Sequence, residues 1–221
     1  MKTEHLLIMR FTALGEVAML VPVVSSLAQQ YPELRITVLS NPFARSLFDG
    51  IAHNVGFMAA DLNGEYHGVK GLNALYRRLV AKNFTAIADM QSILRSSYLR
   101  MRFNISSYRV EHLDNHRQDR RKLVATKDKC LRQLPSLFDD YADVLARLGY
   151  NVRLDFQSLF PPTGGNLRLV SDRIGEKKMF QQWIGIAPFA AFRGKVYPAQ
   201  LTERVIAELI RRHPSCRIFL F

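Results

Sequence analysis

HLLIMRFTALGEVAMLVPVVSSLAQQY, residues 5–31, decides the fold. It opens on an unbroken apolar run, Leu6-Leu7-Ile8-Met9. A run with no polar alternation suits a strand buried on both faces of a parallel sheet, because a strand with one wet face would alternate. Thr12-Ala13-Leu14-Gly15 then turns the chain. After it Val17, Leu20, Val21, Val24, Leu27, Ala28 and Tyr31 recur at spacings of three and four, the stripe of an amphipathic helix. A strand, a tight turn of small residues and a helix form the first unit of a Rossmann-like sheet. The turn falls at the carboxyl edge of the strand, where ligands bind in such sheets. The helix N-terminus there offers unpaired N–H groups and a partial positive charge.

The turn is not the dinucleotide fingerprint, which needs three glycines where only Gly15 is present. Glu16 stands on the first helical turn instead. It either complements the helix dipole or presents a carboxylate to a cleft as a general base. The residues alone leave both readings open.

Outward from this stretch, the chain repeats the same grammar. Arg35 to Leu39 reads as a second strand, Phe43 to Asp49 as a short helix stopped by Gly50, and Val55 to Met58 as a third strand. Residues 61–71, with three glycines, read as a loop, and Leu72 to Lys82 as an amphipathic helix. Phe84 to Ala88 is the next strand. Asp89 follows it, in place for a helix N-cap. Ile105 to Val110 is a candidate strand, and the polar stretch from His112 to Lys127 has little apolar periodicity. Pro135-Ser136 opens a helix over Leu137 to Leu148, closed by Gly149. Phe160-Pro161-Pro162-Thr163-Gly164-Gly165 reads as a linker. Beyond it a strand (Trp183 to Ala187), a loop (Pro188 to Gly194), a helix (Ala199 to Arg212) and a strand (Arg217 to Phe221) restart the pattern.

Composition narrows the function classes. A 48% hydrophobic content over 221 residues supports a sizeable core and argues against disorder. Two cysteines, Cys130 and Cys216, lack metal-ligand spacing and fit a reducing compartment. His112 and His116 are four apart, but no H-E-x-x-H pattern accompanies them, so no metal is assigned. No signal peptide or membrane-spanning run is visible, and a cytoplasmic protein is expected. The formal charge is +12, and residues 92–132 hold eleven Lys/Arg against four Asp/Glu. So concentrated a surplus implies an anionic partner or a solvated helical face. A recognition helix or an aromatic RNA-binding motif is not recognisable, so nucleic acid is not the expected partner.

The stretch R-F-T-A-L-G-E-V-A-M, then V-P-V-V-S-S-L and Y-P-E-L-R-I-T-V-L, resembles the amino terminus of the heptosyltransferases, family 9 glycosyltransferases acting on lipopolysaccharide. Their pattern is a strand, S-x-G-D, a Pro-containing helix and P-x-x-x-I-x-x-L. Gly15 matches the glycine, and Glu16 stands where the family usually has its catalytic Asp. N-F-T-A-I-A-D-M-Q-S-I-L-R-S-S resembles the family's F-D-x-x-I-D-L-Q before a helix. I-G-I-A-P-F-A-A-F-R-G-K-V-Y-P resembles V-x-x-x-P-G-A-x-x-x-x-K-x-W-P, the opening of the nucleotide-sugar domain. There Phe189 replaces a common Gly and Tyr197 the usual Trp.

This resemblance implies an α/β, GT-B-like architecture. An N-terminal Rossmann-like acceptor domain would occupy residues 1–160, a linker 161–182, and the start of a second Rossmann-like, nucleotide-sugar domain 183–221. It implies an inverting sugar transfer, from a nucleotide sugar such as ADP-heptose to an anionic glycolipid acceptor, a lipopolysaccharide core. Contact with the cytoplasmic face of the inner membrane would be peripheral. Glu16 would be the catalytic base. Lys195 and Gly15 would meet the donor phosphates, and Thr12, Asp89, Gln91, Arg95, Arg120 and Arg121 the acceptor. The scheme uses no cofactor or metal, since the nucleotide sugar is itself a substrate. By spacing alone Lys195 is an ordinary loop lysine. A non-catalytic nucleotide- or sugar-binding module is the alternative, separable by donor turnover. Phe221 falls inside an apolar strand, whereas a second Rossmann-like domain needs several more, so the chain is expected to be part of a longer protein.

Overall fold

The computed structural model describes residues 4–127, 129–160, 164–165, 169–190 and 192–221. The chain divides into two compact units, Met1–Leu159 and Phe160–Phe221. Pro161 to Thr163, within the expected linker, lie outside the described residues.

The first unit is a five-stranded parallel sheet in the order β3-β2-β1-β4-β5. Its strands are β1 (His5–Met9), β2 (Arg35–Ser40), β3 (Val55–Ala59), β4 (Ala86–Asp89) and β5 (Arg109–His112). The central strand β1 is buried along its whole length, as its unbroken apolar run requires. It pairs Leu6 with Ile36 on one side and with Ala86 on the other.

Helices cover both faces. One core joins Leu6, Ile8, Ile36 and Val38 to helix α2 (Leu20–Gln30) and to Tyr141, Val144 and Leu145 of α7 (Leu137–Arg147). The other joins Leu7, Met9 and Leu39 to Leu72, Leu75 and Leu79 of α4 (Gly68–Val80) and to Leu99 and Phe103 of α5 (Leu94–Ile105). Alternate residues of one strand therefore feed opposite cores, and each buried Leu or Ile contributes about 1.5–3 kcal/mol.

Local chemistry accounts for the places where the structure departs from the sequence reading. The first helix is two: α1 (Leu14–Ala18) and α2 meet at Met19. Pro22 has no N–H to offer the carbonyl of Ala18, so the ladder breaks one turn before it. Helix α4 begins inside the stretch expected to be a loop. Gly71 belongs to the helix because a Cβ there would fall 2.3 Å from the Tyr66 backbone, a packing demand that reads in sequence as a breaker. The candidate strand from Ile105 is instead the end of α5, and β5 starts four residues later. The polar stretch contains a helix, α6 (Arg117–Val124), with no buried residue, so it has no apolar stripe to announce it. The short helix after β2 is a 3₁₀ turn, Pro42–Ala44, running into α3 (Arg45–Phe48). Helix α7 carries the expected signals: Ser136 accepts from the Asp139 N–H, and Gly149 takes φ +92° past its end.

The second unit pairs β6 (Trp183–Ile186) in parallel with β7 (Arg217–Leu220), joined through α8 (Ala199–Arg212). Its helix and strands include no fully buried residue. No helix among the described residues is long and apolar enough to cross a membrane.

The two units should respond differently to core truncation. Leu75→Ala, at a fully buried position, is expected to cost about 2–5 kcal/mol in urea unfolding. Val205→Ala, at a position 46% exposed, should cost well under half of that.

Candidate active site

Strand order reverses between β1 and β4, which places their carboxyl ends at a topological switch point. Two segments meet there: the turn Thr12–Glu16 after β1 and Met90–Ser92 after β4. Phe11 N–H donates to Gln91 Oε1 at 2.8 Å, and Gln91 Nε2 donates to Thr12 Oγ1. One amide side chain thus staples segments eighty residues apart.

Arg10 fastens them more strongly. Its side chain is buried at 5% exposure, while the Glu16 side chain is 47% exposed. Its guanidinium donates to the Met90 carbonyl, to the Thr12 carbonyl at 3.0 Å and to Glu16 Oε2. The Tyr141 ring lies 5.7 Å from its Cζ, and the Tyr141 hydroxyl donates to the Glu16 carbonyl at 3.0 Å. Burial pushes the Tyr141 phenol far above its ordinary value, which keeps it a neutral donor.

Glu16 is therefore a held carboxylate on an exposed turn. Its Oε2 takes Arg10 and, at 3.2 Å, the Ala13 N–H. Among the described residues no hydrogen bond engages Oε1, which is left to solvent or a ligand. A Cβ built on Gly15 meets nothing within 4 Å. A first-turn glycine costs a helix about 1 kcal/mol relative to alanine, and here no protein atom requires one.

Asp89 and Gln91 are both buried at this edge. Asp89 is fully buried. Its Oδ1 accepts the N–H groups of Gln91 and Ser92 at 3.1 and 3.0 Å, and its Oδ2 lies 3.3 Å from Arg100. It caps the turn rather than a helix, since α5 starts later with Ile93 at its N-cap. Asp89 is thus engaged through both oxygens, and Gln91 is 4% exposed. Ser92 sits at φ +52°, a conformation that costs a non-glycine residue about 1–2 kcal/mol. Asp89 holds its N–H, Asn115 donates to its carbonyl at 3.2 Å, and its own hydroxyl donates to Leu113 at 2.7 Å.

The basic segment splits in two. Arg95 donates through Nη1 to the Leu62 carbonyl and to Asn63, on the 61–66 loop. Arg100, Arg102 and Arg109 also have protein partners, Asp89, Asn73 and the Leu148 carbonyl, with the Arg109 side chain still 53% exposed. Arg120 and Arg121 are exposed on α6. The N-terminal part of α6 borders a cleft of about 910 Å³ of mixed charge, lined by Arg100, Arg117 and Arg147 and by Asp114, Asp119 and Asp143, with His112 and His116. His116 Nε2 contacts Asp140 at 2.8 Å, and this hydrogen bond raises the imidazole above its ordinary value. Burial, then Arg100, lowers His112. Lys195 belongs to the second unit, in a 3₁₀ turn, Arg193–Lys195, its ammonium 5.6 Å from the Phe192 ring centroid. It borders a hollow of about 290 Å³ with Pro188 and Tyr197.

Arg10, Tyr141 and Arg100 escaped the sequence reading. A lone arginine after an apolar run signalled Arg10 only weakly, and nothing local signalled the others.

The fold is that of the GT-B-like glycosyltransferases. The chain aligns along its full length with the glycosyl transferase family 9 structure from Veillonella parvula DSM 2008, at TM-score 0.69 and 17% identity, covering 63% of that chain. It aligns over 98% of its length with the E. coli heptosyltransferase WaaC with ADP (TM-score 0.64, 14% identity, 66% of that chain). The E. coli ADP-heptose lps heptosyltransferase II aligns over 99% of this chain (TM-score 0.56, 17% identity, 64% of that chain). This chain thus spans about two thirds or less of the lengths of these proteins. At such identities the likeness defines the fold. No protein-family model and no curated protein matches the sequence.

Two outcomes follow. Arg10→Met should leave buried carbonyls unpaired and lower stability in urea by about 2–4 kcal/mol, whereas Glu16→Gln, which keeps an oxygen for Arg10, should cost under about 1. The His116–Asp140 contact favours protonated His116, so its contribution is complete just below the ordinary imidazole value of 6.5 and fades as pH rises through the raised folded value. The stability difference between the protein and His116→Gln, measured against pH, should shrink in that direction.

Proposed function

We propose that the chain is a member of the heptosyltransferase family and forms the acceptor side, with the start of the donor side, of an inverting glycosyltransferase. The observation that carries this reading is Glu16: an exposed carboxylate at the switch point, clamped through Oε2 by a buried arginine, with Oε1 open. The whole-chain likeness to family 9 structures supports the same assignment.

In this reading Glu16 Oε1 accepts the proton of the acceptor hydroxyl as that oxygen attacks the anomeric carbon. The bond from the anomeric carbon to the donor diphosphate breaks on the opposite side, which inverts the configuration. Arg10 and the Ala13 N–H fix the carboxylate rotamer, so little reorganisation is needed at the moment of transfer. Lys195 stabilises the departing diphosphate. The open space above Gly15 lets a phosphate or hydroxyl approach the first-turn backbone. Solved neighbours carry ADP and ADP-2-deoxy-2-fluoro heptose, which favours ADP-heptose as the donor. Thr12, on the turn, and Arg120 and Arg121, on α6, face an anionic glycolipid acceptor, while Asp89, Gln91 and Arg95 position the segments that bind it. Peripheral contact with the inner membrane surface brings protein and glycolipid together.

The test is turnover by the intact protein across a panel of nucleotide sugars with a lipopolysaccharide-core acceptor. Glu16→Gln should lower kcat by roughly 10²–10⁴ while donor affinity and thermal stability hold. Glu16→Asp should retain substantial activity. Near wild-type turnover by Glu16→Gln would remove Glu16 as the base.

A further inference from the structure

A second concentration of positive charge lies at the other end of the strands. His5 and Arg35 begin β1 and β2, so they stand opposite the Thr12–Glu16 turn along the strand direction. Together with Thr37 on β2, Arg45 on α3, and Arg78 and Lys82 at the end of α4, they line a pocket of about 320 Å³ against β3, the edge strand. That volume lies at the lower end of the range that holds small ligands, about 300–1,000 Å³.

Among the described residues no Asp or Glu lines this pocket. Arg45 has an acidic neighbour, Asp49, at 3.9 Å, with both side chains more than half exposed. Arg78 is oriented by a 2.6 Å hydrogen bond to the Tyr66 hydroxyl, a neutral partner that leaves its charge uncompensated. Arg35 and Lys82 face the same hollow. His5 reports the local field: its ring is buried, with Nε2 on Thr37 Oγ1 at 2.8 Å and Nδ1 by the Lys82 carbonyl at 3.2 Å. Burial, then the Arg35 charge, lowers its titration below the ordinary imidazole value, against the hydrogen bond at the Lys82 carbonyl, which raises it. Packing does not explain the assembly, because Arg35, Arg45, Arg78 and Lys82 are all exposed residues. Four exposed cations lining one pocket set up a positive field that favours an anion there.

We infer that this pocket binds a phosphate group carrying two or more negative charges, separate from the sugar-transfer site. The chemistry favours phosphate over a single carboxylate. Three cations without an acidic neighbour call for a multiply charged ligand, and guanidinium forks beside an ammonium match the several oxygens of a phosphate. Two sources share this chemistry: a free phosphate or diphosphate, and a phosphorylated headgroup at a membrane surface.

The experiment uses the intact protein with two probes. Inorganic pyrophosphate is titrated by calorimetry, and vesicles of phosphatidic acid, a phosphomonoester, with phosphatidylcholine are compared with phosphatidylcholine alone by flotation. The variant is Arg35→Gln/Arg78→Gln/Lys82→Gln, at exposed positions where substitution perturbs folding little. Lys195→Gln is the control for phosphate taken up elsewhere. Occupancy is read locally from the His5 ring by NMR, because an anion beside Arg35 should move the His5 titration upward. The expected result is binding of at least one probe, weakened about tenfold or more in the triple variant, unchanged in Lys195→Gln, and accompanied by the His5 shift. Response to pyrophosphate alone identifies a free ligand, and response to anionic vesicles alone a headgroup. The inference is overturned if the wild-type protein binds neither probe, if the triple variant binds as the wild type does, or if binding leaves His5 unmoved.

Discussion

The first unit depends on the burial of Arg10. A guanidinium taken out of water is costly unless its donors are used, and here they are spent on the Met90 and Thr12 carbonyls and on Glu16. Each partner belongs to a different piece of the switch point: the end of β4, the turn after β1, and the first turn of α1. Tyr141, from the far end of the unit's sequence, closes the group from above. A lysine would not serve, because one ammonium cannot present a planar fork to three separated acceptors. The constraint runs both ways. The arginine needs its partners to be tolerated inside, and they need it to hold the exposed carboxylate in one orientation.

The neighbouring segment is over-determined in the same manner. Ser92 adopts a left-handed conformation that a serine avoids on its own. Asp89, Asn115 and the serine hydroxyl supply enough hydrogen bonds to hold it. Strain sustained by surrounding structure is common at binding edges, where the geometry of a turn matters more than its intrinsic preference. Asp89 is a carboxylate spent on building the edge, whereas Glu16 faces outward, and burial makes the difference.

Charge shows why position along the chain is a poor guide to position in space. Residues 92–132 look like one basic surface. Folding gives Arg95, Arg100, Arg102 and Arg109 partners within the protein, whereas α6 presents Arg120 and Arg121 to solvent. Conversely, His5, Arg35, Arg78 and Lys82 are scattered over almost eighty residues and look unremarkable one at a time. The sheet gathers them around one pocket.

What the amino-acid sequence determined by itself was the alternation of buried strands and amphipathic helices. It announced the carboxyl-edge turn at Thr12–Gly15 and the restart of the strand pattern at Trp183. These are local properties: apolar runs, 3.6-residue periodicity, glycine and proline at ends. The same local logic marked Glu16 as the residue to watch, and its resemblance to a family motif marked it again. Only the tertiary structure decided that Arg10 clamps Glu16, that Asp89 is buried and caps a turn, that Gly71 lies in a helix to clear Tyr66, and that Arg95 ties down a loop. Each of these depends on atoms brought together from distant or differently folded segments, where burial sets the cost of a charge and the partners within reach set its role. Neither quantity is written in the spacing of residues along the chain.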